Sequence, residues 1–161
     1  MAKSSNLKKV HVVRSHVATR LEPLKKVQYA AARVITGARR RDPMTNLRDL
    51  HWLPIPYRID FKIAVLTFRC LNGCAPSYLS SLISLRAANS QTGRTLRFSC
   101  DPSALYDLVP PSAHVETYGS RAFSNYAPTV WNHLPVSVRS SSSSLPRFRT
   151  ALKIHFFRLA F

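Results

Sequence analysis

The sequence predicts a mainly α protein: a small, irregular helical domain with a loop-rich middle in which two short runs could be β-strands. Three observations carry this. Apolar residues recur at helical spacing in at least three separate stretches. Pro and Gly stand where helices open and close. Between residues 86 and 117 that periodicity fades as Ser, Thr and Pro rise. The organisation expected is a basic, weakly structured arm at 1–20, a helical core segment at 21–85, a loop-rich connector at 86–117, and a C-terminal helical segment at 118–161 that packs on the core.

The first helix is expected near Pro23, a good first-turn residue because its missing N–H has no intrahelical role there. Leu24, Val27, Ala31, Val34 and Ile35 fall on one stripe, with Lys25, Lys26, Tyr29 and Arg33 on other faces. Gly37 stops the helix, since glycine enters the left-handed region at little cost. Arg39, Arg40 and Arg41 follow at once, where positive charge complements the helix dipole.

A short helix from Pro43 to Leu50 takes Asp42 as its N-cap. Trp52, Leu53 and Ile55 anchor a tight corner. Pro56 then opens a helix that is apolar nearly all round, through Ile59, Phe61, Ile63, Val65, Leu66, Phe68 and Leu71. Such a helix is buried on several sides. Its charged residues, Arg58, Asp60, Lys62 and Arg69, are few enough to share one flank. Asn72-Gly73 ends it, and Pro76 begins a short helix through Tyr78, Leu79, Leu82 and Ile83.

In the connector, 96–98 and 105–109 are the two strand-like runs, the latter ended by Pro110 and Pro111. Ala122, Phe123, Tyr126, Val130, Trp131 and Leu134 indicate two helical pieces broken at Pro128 and ended at Pro135. Ser140–Ser144 reads as a low-complexity linker. The last helix starts near Leu145-Pro146, with Phe148, Leu152, Phe156 and Leu159 on one stripe and Arg149, Lys153 and Arg158 elsewhere.

Charge is the strongest functional signal. Lys and Arg number 24 against 7 Asp and Glu, a formal +17 on 161 residues. Residues 1–69 hold 15 basic and 4 acidic residues, and 70–161 hold 9 and 3. A field of that size favours polyanions and adds self-repulsion to a compact monomer. The plainer explanation is a generally basic, solvated surface. Lys25, Lys26, Arg33, Arg39, Arg40, Arg41 and Arg48 form the candidate nucleic-acid-binding set. Arginine suits phosphate because its planar fork donates two parallel hydrogen bonds. Basic runs also serve as import signals, and the acid-poor first 21 residues resemble a mitochondrial presequence in composition but not in amphipathicity.

Catalytic patterns are missing from the sequence. Two-metal nucleic-acid enzymes place several carboxylates around ions about 3.5–4 Å apart. Here the acids are scattered singly, and Asp42, Asp49 and Asp60 suit capping or ion pairing. There is no G-x-S-x-G elbow for a Ser/His/Asp arrangement, and no P-loop or G-x-G-x-x-G. His114 and His133 suit structural or exposed positions. Cys70, Cys74 and Cys100 are an odd set without metal-ligand spacing, so reduced thiols in an intracellular compartment, nuclear or cytoplasmic, are expected rather than a zinc site. No apolar run of about 18 residues calls for a membrane span. The expectation is a chain that needs no cofactor, holds no metal and catalyses nothing.

Four stretches carry a family resemblance. They are Val27–Gly37 (Val-Gln-Tyr-Ala-Ala-Ala-Arg-Val-Ile-Thr-Gly); Leu50–Ile63 (Leu-His-Trp-Leu-Pro-Ile-Pro-Tyr-Arg-Ile-Asp-Phe-Lys-Ile) with Cys70–Leu79 (Cys-Leu-Asn-Gly-Cys-Ala-Pro-Ser-Tyr-Leu); Tyr118–Ser124 with Ala127–Pro135; and Leu145–Lys153. In order and spacing, from about residue 20 onward, the chain resembles the C-terminal region of LINE-type (non-LTR) retrotransposon reverse transcriptase polyproteins, downstream of the polymerase palm. Residues 1–19 depart from that pattern, as do Cys74, where the family usually has Leu, and the vicinity of Thr129-Val130. Such departures fit a drifting, truncated copy. The family's catalytic aspartates lie in the palm, so the resemblance carries no catalytic residue onto this chain. It implies a non-catalytic fragment with a role in gripping template or RNA; with the +17 charge, the reading is a fragment that binds RNA or single-stranded DNA non-specifically. The alternatives are a packing module, whose apolar helices at 55–72 and 145–161 dock on the upstream polymerase domain, and a translated relic without independent activity.

Overall fold

The computed structural model describes residues 21–39, 46–85, 106–110, 119, 122–140 and 144–161. The expected arm at 1–20, most of the connector, and Arg40 and Arg41 lie outside the described residues. Among those described, the fold is mainly helical. In chain order the elements are α1 (21–36), α2 (Asn46–Asp49), α3 (Ile55–Leu71), α4 (Ser77–Ser80), β1 (Ser84–Leu85), β2 (Leu108–Val109), α5 (Phe123–Asn132), α6 (Val136–Ser140) and α7 (Leu145–Ala160). The two strands pair antiparallel, Ser84 opposite Val109 and Leu85 opposite Leu108. The chain divides into one compact unit of Met1–Phe61 with Lys153–Phe161 and a second of Lys62–Leu152.

In the first unit α1 ends as its sequence dictates, with Gly37 at φ +67° and the Ala38 amide donating back to the Arg33 carbonyl. Its packed side, however, is not the apolar stripe. Gln28 and Ala32 are buried, whereas Leu24, Val27, Val34 and Ile35 are 53%, 67%, 83% and 58% exposed. The Gln28 Nε2 amide donates to the Leu53 carbonyl at 2.8 Å, which fixes α1 to the corner after α2. The Trp52 amide closes that corner on the Leu47 carbonyl, and Leu47 and Leu53 are buried beneath it. His51 turns the chain with φ +53°, in the left-handed region that histidine enters more readily than most residues. From α7, Phe156 is buried and packs on Tyr57, whose hydroxyl donates to the Leu159 carbonyl at 3.0 Å.

The second unit is built around Phe148. Its ring is fully buried, stacked on Phe68 at 4.4 Å between centroids with an interplanar angle of 15°, and tilted against Trp131 at 5.8 Å. Ala64, Thr67, Leu108, Ala127, Leu134, Val138 and Leu152 complete this core. The C-terminus of α3 is closed by Gly73 at φ +67° and by the Cys74 amide, which donates to the Arg69 carbonyl.

Two local expectations change. α5 runs unbroken through Pro128. The proline denies one hydrogen bond to the Ser124 carbonyl, but Ala127, Pro128, Val130 and Trp131 are all buried, and that packing holds the helix together. α6 takes in Ser140, expected to begin the linker, as the last of its five residues; its first turn forms when the Val138 and Arg139 amides bond the Pro135 carbonyl.

Candidate nucleic-acid interface

At about 100° per residue, Lys25, Lys26 and Arg33 fall within about 100° of arc on α1. Tyr29, half-buried, lies among them. Lys26 is exposed and Arg33 half-buried. The Lys25 Nζ is 2.6 Å from the Glu22 carboxylate, an i, i+3 surface pair. Such a pair adds only a few tenths of a kcal/mol and is readily exchanged for another anion. Arg39, exposed, follows the helix end, and Arg48 is exposed on α2. The structure therefore carries Lys25, Lys26, Arg33, Arg39 and Arg48 in the first unit, three of them on one side of one helix.

Cations outside that set are also exposed. On α3, Arg58, Lys62 and Arg69 share one face by helical spacing and all three are exposed. Asp60 does not join them on one flank: it lies on the other side of the helix and is buried. The Arg69 Nε donates to the Cys74 carbonyl at 3.2 Å. On α7, Arg147, Arg149, Lys153 and Arg158 are exposed. One arginine is different in kind. Arg139 is buried, and its Nη1 donates to the Asp107 carboxylate at 2.5 Å, so its charge serves the fold.

Charge-to-charge contact with phosphate is what this surface can do chemically. Among the described residues no three His, Cys, Asp or Glu side chains come together as a metal site, and no helix is long and apolar enough to cross a membrane. Cys70 is buried and Cys74 exposed, both as free thiols, and burial pushes the Cys70 thiol above its usual range. His133 is exposed, its Nδ1 at 2.5 Å from the Thr129 carbonyl; His114 and Cys100 lie outside the described residues. One feature of this surface has no signature in the sequence pattern. His51, Phe157 and Phe161 form a continuous aromatic cluster, brought together only by tertiary structure.

Compared with protein-family models, with curated proteins and with solved structures, the chain matches none of them.

Proposed function

We propose that this chain is a non-catalytic nucleic-acid-binding segment, of the kind expected at the C-terminal end of a LINE-type reverse transcriptase polyprotein, that holds RNA or single-stranded DNA without sequence preference. The single observation that supports it is the cationic side of α1, Lys25, Lys26 and Arg33, with Arg39 and Arg48 in the same unit, on a chain of net charge +17. Arginine and lysine that neutralise phosphates release condensed counterions, so binding follows backbone charge and weakens steeply with salt.

The test is a salt titration of binding to a short fluorescent RNA. Wild-type affinity falls linearly on a log–log plot. In a triple Lys26→Gln, Arg39→Gln, Arg48→Gln variant the slope becomes shallower by roughly 0.7 for each phosphate left unneutralised. Affinity that stays flat with salt, or a triple variant with an unchanged slope, contradicts the proposal. Circular dichroism shows whether the variant is still folded, and so separates weaker phosphate binding from unfolding.

A second reading is a packing module that docks on the polymerase domain of the parent polyprotein. It is favoured by the apolar side of α1, where Leu24, Val27, Val34 and Ile35 face outward. An exposed apolar face of that kind marks an interaction surface. Buried positions run along both helices first expected to dock: Ala64 and Phe68 on α3, Phe148 and Leu152 on α7. α1 replaces them as the docking candidate. A protein that stays monomeric and binds no hydrophobic dye removes the support for this reading.

A further inference from the structure

His51, Phe157 and Phe161 make a small aromatic shelf within the first unit. The His51 and Phe157 rings stack with centroids 5.8 Å apart and an interplanar angle of 23°. Phe157 and Phe161 follow at 5.0 Å, tilted by 49°. Phe157 is half-buried and backs both neighbours; the two outer rings are the exposed ones, with Phe161 44% exposed. His51 is held in place twice over. Its backbone occupies the left-handed region, and its Nδ1 lies 3.1 Å from the Asp49 carbonyl, which it meets as a donor in the Nδ1–H tautomer. A ring fixed by its own backbone loses little freedom when a flat ligand lies on it.

Cations border this shelf. Lys153, Phe157 and Phe161 are spaced four apart and fall in one row, and Arg158 adjoins Phe157 in sequence. Lys153 and Arg158 are both exposed. Flat apolar rings interleaved with positive side chains are the two halves of a single-strand binding surface: bases stack on the rings while cations track the phosphates. Duplex hides its base faces and offers such rings nothing.

We infer that His51 and Phe161 are base-stacking residues, that Phe157 supports both rings, and that Lys153 and Arg158 hold the adjoining phosphates, giving the chain a preference for unpaired over paired nucleic acid. This rests on the nucleic-acid reading above and adds to it a site and a strand preference that charge alone does not supply.

The experiment measures wild-type binding at fixed salt to four probes of equal length: oligo(U), oligo(dT), an abasic strand with the same phosphates, and a DNA duplex. Wild type binds oligo(U) and oligo(dT) at least about thirtyfold more tightly than the abasic strand, as two stacked bases at about 1 kcal/mol or more each require. A larger gain on oligo(U) than on oligo(dT) assigns the site to RNA, and the reverse to single-stranded DNA. The double variant His51→Asn, Phe161→Leu loses that advantage and keeps its affinity for the abasic strand and its salt slope. Asparagine tolerates the left-handed backbone, so the turn is preserved. Restoring a ring with Phe161→Tyr recovers part of the advantage. Equal wild-type affinity for base-containing and abasic strands overturns the stacking site while leaving charge-driven binding in place. Failure to bind any of the four probes removes both.

Discussion

The Asn132 carboxamide pairs with both backbone polar groups of Leu108: its Oδ1 accepts from the Leu108 amide at 2.9 Å and its Nδ2 donates to the Leu108 carbonyl at 2.9 Å. A strand's amides alternate between its two edges, so these groups face away from β1, and the side chain does the work of a third strand. The neighbouring Trp131 Nε1 donates to the Tyr106 carbonyl at 2.9 Å. Two consecutive α5 residues thus pin residues 106–108. Leu108 is fully buried, so Asn132→Ala leaves a donor and an acceptor without their partner. We expect a loss of about 2–4 kcal/mol, read as a lower urea midpoint at unchanged slope.

Arg139 and Asp107 make a second tie on the same segment. The arginine side chain is 5% exposed and the aspartate 26%, and the Arg139 Nε has no partner of its own. Removing the carboxylate leaves a buried cation uncompensated. Asp107→Ala should cost about 2–3 kcal/mol, below the fully buried case because the aspartate is partly wet. Arg139→Met should cost less, and the Asp107→Ala, Arg139→Met double variant should be more stable than Asp107→Ala alone. A double variant weaker than either single one would show that the pair is not the source of the effect.

Phe148 and Val34 offer a contrast between two apolar residues. Phe148 fills the centre of the second unit against Phe68 and Trp131, so Phe148→Ala should cost about 3–5 kcal/mol through reduced burial and the cavity left behind. Val34 is 83% exposed on α1. Val34→Lys should shift stability by no more than about 0.5 kcal/mol while reducing any hydrophobic-dye binding. Urea melts of the two variants side by side test both statements.

The helical character was legible because period and punctuation agree. Phe148, Leu152 and Phe156 sit on the stripe that spacing defines and are buried as it requires, and Gly37 and Gly73 take the left-handed conformation their positions demand. Leu159, fourth on that stripe, is 56% exposed, because a stripe can outrun the surface that covers it. α1 shows the deeper limit. Periodicity reveals that Leu24, Val27, Val34 and Ile35 form a face, and says nothing of what lies against it. Gln28 reads as a solvent residue, yet it is 6% exposed because the Leu53 carbonyl supplies its hydrogen bond. β1 has two residues and α6 five, too few for any period to register. For the interface, the grouping of Lys25, Lys26 and Arg33 follows from 100° steps alone. The Glu22–Lys25 pair is equally local, an i, i+3 spacing, whereas the partial burial of Arg33 is not. The stacking of His51 on Phe157 joins distant stretches, and no local pattern announces it.

His155 gives stability in the first unit a pH dependence of definite sign. It is half-buried on α7, its ring 5.5 Å from that of the buried Phe156. Burial pushes its pKa below the ordinary histidine value of 6.5 because the imidazolium loses hydration there. The unfolded chain then takes up its proton first as pH falls, and stability declines where the unfolded state binds more protons. His155 therefore contributes full stability above about pH 7, loses it as pH drops through the unfolded value near 6.5, and stops contributing to the slope once the folded group also protonates. Urea midpoints at pH 7.5, 6.5 and 5.5 should fall in that order for the wild type. His155→Leu should remove this part of the decline and narrow the gap between the first and last midpoints. A wild type that gains stability on acidification, or a variant whose decline matches the wild type's, would show that the His155 ring is not desolvated in the fold.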